Sequence, residues 1–361
     1  MPKSFIWDPH EDQSYSDPEP NELSAASFNK DAGKTFSMVA PAGTLTLLCR
    51  QSSVWGGTTD NAIPPTAIKL ESGALVMRGI SSDTTGVDFT MGPYPHKRIS
   101  HPFVNLTMTD ASFVLSNFDK VSAGGRVPPV HGMQIDILLD LAMRGSSRYQ
   151  VDCVTYSSTK RLNIGDSAAF RVRAKQVALA FSDYRISPTT VPQSSDANDD
   201  CSLNIESTGG TMEIAEARIA FEKVARSLIR SGKITLRKDV RVAAVNDADV
   251  QFVTDAVEFY DEASTATFSI SDDADIEFDT YSGGKPFDFL SHKNYPEGLF
   301  NFRSNCKGKF TLYGAGSAFD KSAMLSKHVV AIDGVPQSTD QRLKFEYVRV
   351  GNTQNMVVSL K

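Results

Sequence analysis

Asp273-Ala274-Asp275-Ile276-Glu277-Phe278-Asp279 alternates strictly, with Ala274, Ile276 and Phe278 on one side and four carboxylates on the other. A period of two belongs to a β-strand, whose successive side chains point to opposite faces. One face is apolar enough to be buried and the other must face water. Working outward from this stretch, the same pattern recurs. Ile234, Leu236, Val240 and Val242 oppose Lys233, Thr235, Arg237 and Arg241.

Short alternating runs cover much of the rest. Thr44 to Leu47, Ala74 to Met77, Val87 to Met91, Ser112 to Leu115, Ile135 to Leu141, Tyr149 to Cys153 and Phe170 to Ala174 precede residue 190. Val250 to Tyr260, Ala266 to Ile270, Lys309 to Tyr313 and Val329 to Ile332 follow later, and Leu343 to Val350 and Met356 to Leu360 flank Gly351-Asn352 as a hairpin would. Turn clusters such as Trp55-Gly56-Gly57, Pro64-Pro65 and Pro128-Pro129 separate the runs. Many short strands with regular turn signals predict a mainly-β chain, a β-sandwich of jelly-roll-like type, with one or two sandwiches. No repeat at the 20–50 residue periods of solenoids is visible.

One segment breaks the pattern. Between Met212 and Arg230, Ile214, Ala217, Phe221, Val224, Ala225 and Leu228 recur at steps of three and four. That spacing predicts a long amphipathic helix over about 212–231, capped by Thr211 and stopped at Gly232. The division expected is an acidic extended arm over 1–42, a first β region over 43–190, a polar linker over 191–211, and the helix with a second β region over 212–361. The arm carries Pro9, Pro18 and Pro20 and no structural period, so it is either disordered or laid on a surface through Phe5, Trp7 and Tyr15.

At 361 residues, 40% apolar, with a mean hydropathy of −0.24, the chain can bury a substantial core. It has no apolar run long enough to span a membrane, and its acidic start does not read as a signal peptide. The net charge of −6 hides a segregation: residues 1–40 sum to −4, residues 242–288 to −11, and the remainder to +9. The row Asp273, Asp275, Glu277 and Asp279 reads as a solvated face, a dock for a basic partner, or a calcium site lacking the EF-hand pattern. Its counterpart is the basic set Arg218, Lys223, Arg226, Arg230, Lys233, Arg237, Lys238 and Arg241, suited to inter-subunit or polyanion contact.

Nothing in the sequence forms a catalytic set. Cys49, Cys153, Cys201 and Cys306 are widely spaced, and His10, His96, His101, His131, His292 and His328 are scattered. There is no G-x-S-x-G, and Tyr313 to Phe319 lacks the full pattern of either nucleotide loop, so it reads as a turn. The expectation is a structural, self-assembling protein without enzymatic activity. A coat or other virion protein, in the virion or host cytoplasm, fits best, with copies of itself and other virion proteins as partners and head-to-tail electrostatic contacts. Two alternatives stand beside it. One is a nucleic-acid-binding protein using the 218–241 face. The other is a carbohydrate- or receptor-binding β-sandwich using Tyr281, Phe287, Phe289, Tyr295 and Phe300.

Overall fold

The computed structural model describes residues 5–57, 62–80, 86–92, 104–124, 139–192, 200–260, 265–291 and 294–361. Ile135 to Leu138, His96, His101, His131 and His292 lie outside them. The protein divides into two compact units, Met1–Tyr184 and Arg185–Lys361.

In the first unit the long strands Thr35–Cys49, Thr66–Gly79, Ala111–Ala123, Arg148–Ser158 and Ala169–Ala180 lie side by side, all parallel. Their register stacks like on like. Leu45, Leu75, Phe113, Tyr149 and Phe170 form one inward row, each at most 1% exposed. A second row on another face runs Phe36, Ile68, Leu106, Leu141 and Leu162, also buried. A third joins Trp55, Met91 and Ala123. Each turn of chain thus lays a strand on the one before, and the unit is a parallel β-solenoid with an aromatic axis. Trp55 stacks on Phe113 at 5.7 Å, and Tyr149 on Phe170 at 5.0 Å. Such pairs add about 0.5–1.5 kcal/mol each beyond their burial.

The second unit repeats the scheme. Ile205, Ile229, Phe252, Phe278 and Leu312 form one inward row, and Ile219, Val242, Phe268, Phe300 and Val330 another. It ends differently. Lys309–Leu312 pairs antiparallel with Thr353–Leu360, which pairs antiparallel with Leu343–Val350. The helix Ala318–Ser326 follows a capping box in which Ser317 and Asp320 exchange hydrogen bonds.

The chain is mainly β as the alternation predicts, but the long strands pair in parallel, where a sandwich or jelly roll is built from antiparallel ones. The helix over 212–231 is absent. Those residues lie in the strands Leu203–Ala215, Arg218–Phe221 and Arg226–Arg237. The reason is the corners: Glu216 and Lys223 take left-handed φ of 48° and 58° and turn the chain between strands. Met212 and Ile214, then Ala217, Ile219 and Phe221, then Ala225, Ser227 and Ile229 are buried with period two. Extra residues at each corner shift the phase and imitate a helical step. Leu203 to Ala215 likewise includes residues expected in the linker.

The acidic arm packs on its own chain. Gln13–Tyr15 and Asn21–Ala25 both run parallel to Thr35–Cys49. Trp7 stacks on Trp55 at 6.0 Å, and its indole N–H donates to the Asn29 carbonyl at 2.6 Å. The fully buried Lys30 ammonium donates to the Asp8 and Glu11 carbonyls and to Gln13 Oε1 at 2.6, 2.9 and 3.0 Å. Burial brings its pKa down to about 8, against the opposing pull of Asp8, Asp12 and Asp31. The turn 8–13 therefore closes around a cation.

Candidate functional site

The alternating carboxylates sit where the strand period places them. Asp275, Glu277 and Asp279 face outward from the strand Asp275–Asp279, and Asp273 is exposed in the preceding turn. The neighbouring strand adds Asp249 opposite Asp275 and Gln251 opposite Glu277. Lys309 answers from the other side, its Nζ 3.4 Å from Asp275 Oδ2 and its backbone N–H 2.9 Å from Oδ1. Glu277 has a raised pKa, first through burial and then through Asp279 and Asp249; Asp249 is raised by burial and then by Asp275. Among the described residues no group of three or more His, Cys, Asp or Glu is arranged to hold a metal ion.

The basic run does not form one patch. Acids on the adjacent rungs, and for Arg241 one on its own strand, lie beside it. Lys233 pairs with Glu258 at 3.4 Å, and Arg237 with Glu213 at 3.3 Å while lying 3.6 Å over the Tyr260 ring. Lys238 pairs with Glu216, Arg226 with Asp200 at 3.8 Å, and Arg241 with Asp239 at 3.0 Å. Arg230 lies over Tyr281 at 5.1 Å. Arg218 and Lys223 are exposed. Charges separated along the sequence are thus largely interleaved in space. The loop aromatics are equally unavailable: Phe287, Phe289, Tyr295 and Phe300 are buried, packed ring against ring at 5.2–6.4 Å.

Two surfaces remain that sequence reasoning passed over. The first is the outer edge of Leu343–Val350. Its pairing partner is Thr353–Leu360, through the two-residue loop Gly351-Asn352. Gly351 has φ of 61° and Asn352 does not share it, the pattern of a type II′ turn. The residues flanking a two-residue loop form a hydrogen-bonded pair, so Val350, Val348, Glu346 and Lys344 direct N–H and C=O toward Thr353–Leu360. The Lys361 N–H bonded to the Arg342 carbonyl at 3.0 Å keeps that parity. The backbone groups of Phe345, Tyr347 and Arg349 consequently point to the other side, where no strand among the described residues pairs with them. Tyr347, Val348 and Val350 are 38%, 46% and 58% exposed.

The second is a cleft of about 540 Å³ on the outer face of the strands Asp239–Ala244 and Thr265–Ile270. Ala243, Thr267, Ser269 and Ser271 line it, with Arg241 and Arg303 among its walls. Register sets Arg241 opposite Thr267 and Ala243 opposite Ser269. Asn301, on the next strand, donates to Ser269 Oγ at 3.3 Å. Arg303 is exposed, and among the described residues no acidic side chain pairs with it. The signal that could have found this cleft is the outward Thr267/Ser269 pair, which polar alternation shows but whose neighbours only the rung spacing supplies.

Comparison with known proteins returns no matching family model, no matching curated protein and no matching solved structure.

Proposed function

We propose that the protein is a structural, self-assembling component, the role the sequence favours in the form of a virion protein, and that copies join edge to edge through Leu343–Val350. One observation carries the reading: an exposed strand whose outer row of backbone groups pairs with no other strand among the described residues. Such an edge is a template for another strand, and natural proteins usually blunt it or use it.

The occupant is a second copy of the chain. An antiparallel pair must match outward-directed residues with outward-directed residues. Centring the two-fold axis on Tyr347 engages Phe345, Tyr347 and Arg349 of both strands. Tyr347 then meets Tyr347 of the second copy, and Phe345 meets Arg349, a cation–π pairing. On the opposite face Glu346 meets Val348 and Lys344 meets Val350, so no like charges are directly opposed. Centring on Glu346 instead would set two glutamates against each other, which is destabilising. The contact is isologous and closes on itself, so the building block is a dimer. The interleaving of the basic run with acids gives the head-to-tail alternative less support.

The test is sedimentation velocity over a concentration series. Tyr347→Pro removes an outward N–H and spares the hairpin's own ladder. The wild type should show a concentration-dependent dimer, and the variant a monomer with unchanged thermal unfolding. A wild type that stays monomeric at every concentration, or a variant that still dimerises, overturns the proposal.

A further inference from the structure

From the polar cleft on the second unit we infer a binding site for an acidic saccharide, one whose sugar rings carry carboxylate or sulfate groups. It stands on residues separate from the dimer edge. Its floor is small and polar: Ala243, Thr267 and Ser269 lie on two adjacent strands, and the Ser269 hydroxyl is oriented by the Asn301 amide. Hydroxyls spaced two residues apart along one strand, Thr267 and Ser269, offer donors and acceptors to a sugar's own hydroxyls.

Cationic groups mark its two ends. Arg241 lies near the start of one strand, 3.0 Å from Asp239. Arg303 lies just past the end of Phe300–Phe302, its backbone N–H bonded to the Ile270 carbonyl at 3.0 Å. Two rungs and four residues separate them, a backbone span of about 16 Å. That length accommodates an oligomer rather than one ring. Arg218 sits directly opposite Arg241 on the adjacent strand. Like charges in register destabilise a sheet. At this end Arg218 and Arg241 set two guanidiniums against the carboxylate of Asp239, a balance that an anionic ligand would complete with charge-assisted hydrogen bonds.

The class of ligand follows from what lines the cleft. None of its lining residues is aromatic, so there is no platform for stacking bases. A chain of net charge −6 also opposes a long polyanion outside a local site.

The experiment is isothermal titration calorimetry of the full chain with three saccharide probes and one nucleic acid. The probes are a hyaluronan tetrasaccharide for carboxylate, a chondroitin sulfate tetrasaccharide for added sulfate, the methyl-esterified neutral hyaluronan tetrasaccharide, and a ten-nucleotide thymidine DNA. At least one acidic tetrasaccharide should bind while the neutral ester and the DNA do not. Arg303→Gln and Arg241→Gln should each weaken that binding by about tenfold or more, and Lys120→Gln, at an exposed position of the first unit, should leave it unchanged. Preference between the two acidic probes identifies carboxylate or sulfate as the group held. The inference is overturned if neither acidic probe binds, if the neutral ester or the DNA binds equally well, or if both arginine variants bind like the wild type.

Discussion

The Lys160 amine lies 3.8 Å from the centroid of the Phe170 ring and donates to the Tyr156 hydroxyl at 2.8 Å. The residue is fully buried in the first unit, with Tyr149 and Tyr184 also facing it. Among the described residues no carboxylate pairs with it, and burial holds its pKa well below the usual lysine range.

Lys160→Met keeps the length of the side chain and removes the polar head. It should stabilise the protein at neutral pH by roughly 1–3 kcal/mol, measured by urea denaturation. The gain should depend on pH. The unfolded chain takes up the proton below about 10.5, while the buried amine resists it. Wild-type stability therefore rises with pH between the lowered native value and about 10.5, and the variant's advantage shrinks over the same range. A constant advantage from pH 7 to 10.5 would show that burial does not suppress this charge.

The Lys30 ammonium organises the amino-terminal turn, so Lys30→Met should release it. Three acceptors would lose their donor, at a cost of about 1–3 kcal/mol. Limited proteolysis should then cut within residues 8–13, and Trp7 emission should shift to the red. Deleting residues 1–31 should also lower the unfolding temperature, because Tyr15 and Phe28 are buried and Trp7 covers Trp55. A truncated chain as stable as the full one would contradict the packing of the arm.

Gly124 has φ of 94°, and a Cβ there would collide with the Thr159 carbonyl oxygen. Gly124→Ala should cost at least about 1–3 kcal/mol from the backbone conformation alone, with the clash added. Gly351 also has a positive φ, 61°, but open space around it, so Gly351→Ala should cost less. Equal losses in thermal unfolding would show that rung spacing at Thr159 is looser than described.

Glu277→Gln tests the acidic row. A carboxyl with a raised native pKa stabilises the fold when protonated and loses that advantage as pH rises through the native value. The variant should therefore gain about a few tenths of a kcal/mol at pH 7 and nothing below about pH 4. A loss at pH 7 would indicate that the row is held by a compensating group.

The strands were legible in the sequence because alternation survives any stacking. Ala274, Ile276 and Phe278 are buried as their pattern requires. The stacking itself was not. Thr44, Ala74, Ser112, Arg148 and Ala169 are successive partners, separated by 30, 38, 36 and 21 residues. Loops of such unequal length erase any fixed period, and only the register restores it. The corner residues Glu216 and Lys223 produced the opposite error, a helix where three strands meet. Charge was read one residue at a time along the chain, while Lys233 and Glu258 or Arg237 and Glu213 meet only across rungs. The Leu343–Val350 hairpin was visible; that its odd-numbered residues keep open backbone groups depends on the two-residue turn and the parity it imposes.

Amide hydrogen exchange resolved by residue tests the central claim most directly. At high protein concentration Phe345, Tyr347 and Arg349 should be protected, and on dilution they should exchange rapidly. Lys344, Glu346, Val348 and Val350 should remain protected in both conditions, since the hairpin itself bonds them. Fast exchange at Phe345, Tyr347 and Arg349 regardless of concentration would contradict pairing of two copies along this edge.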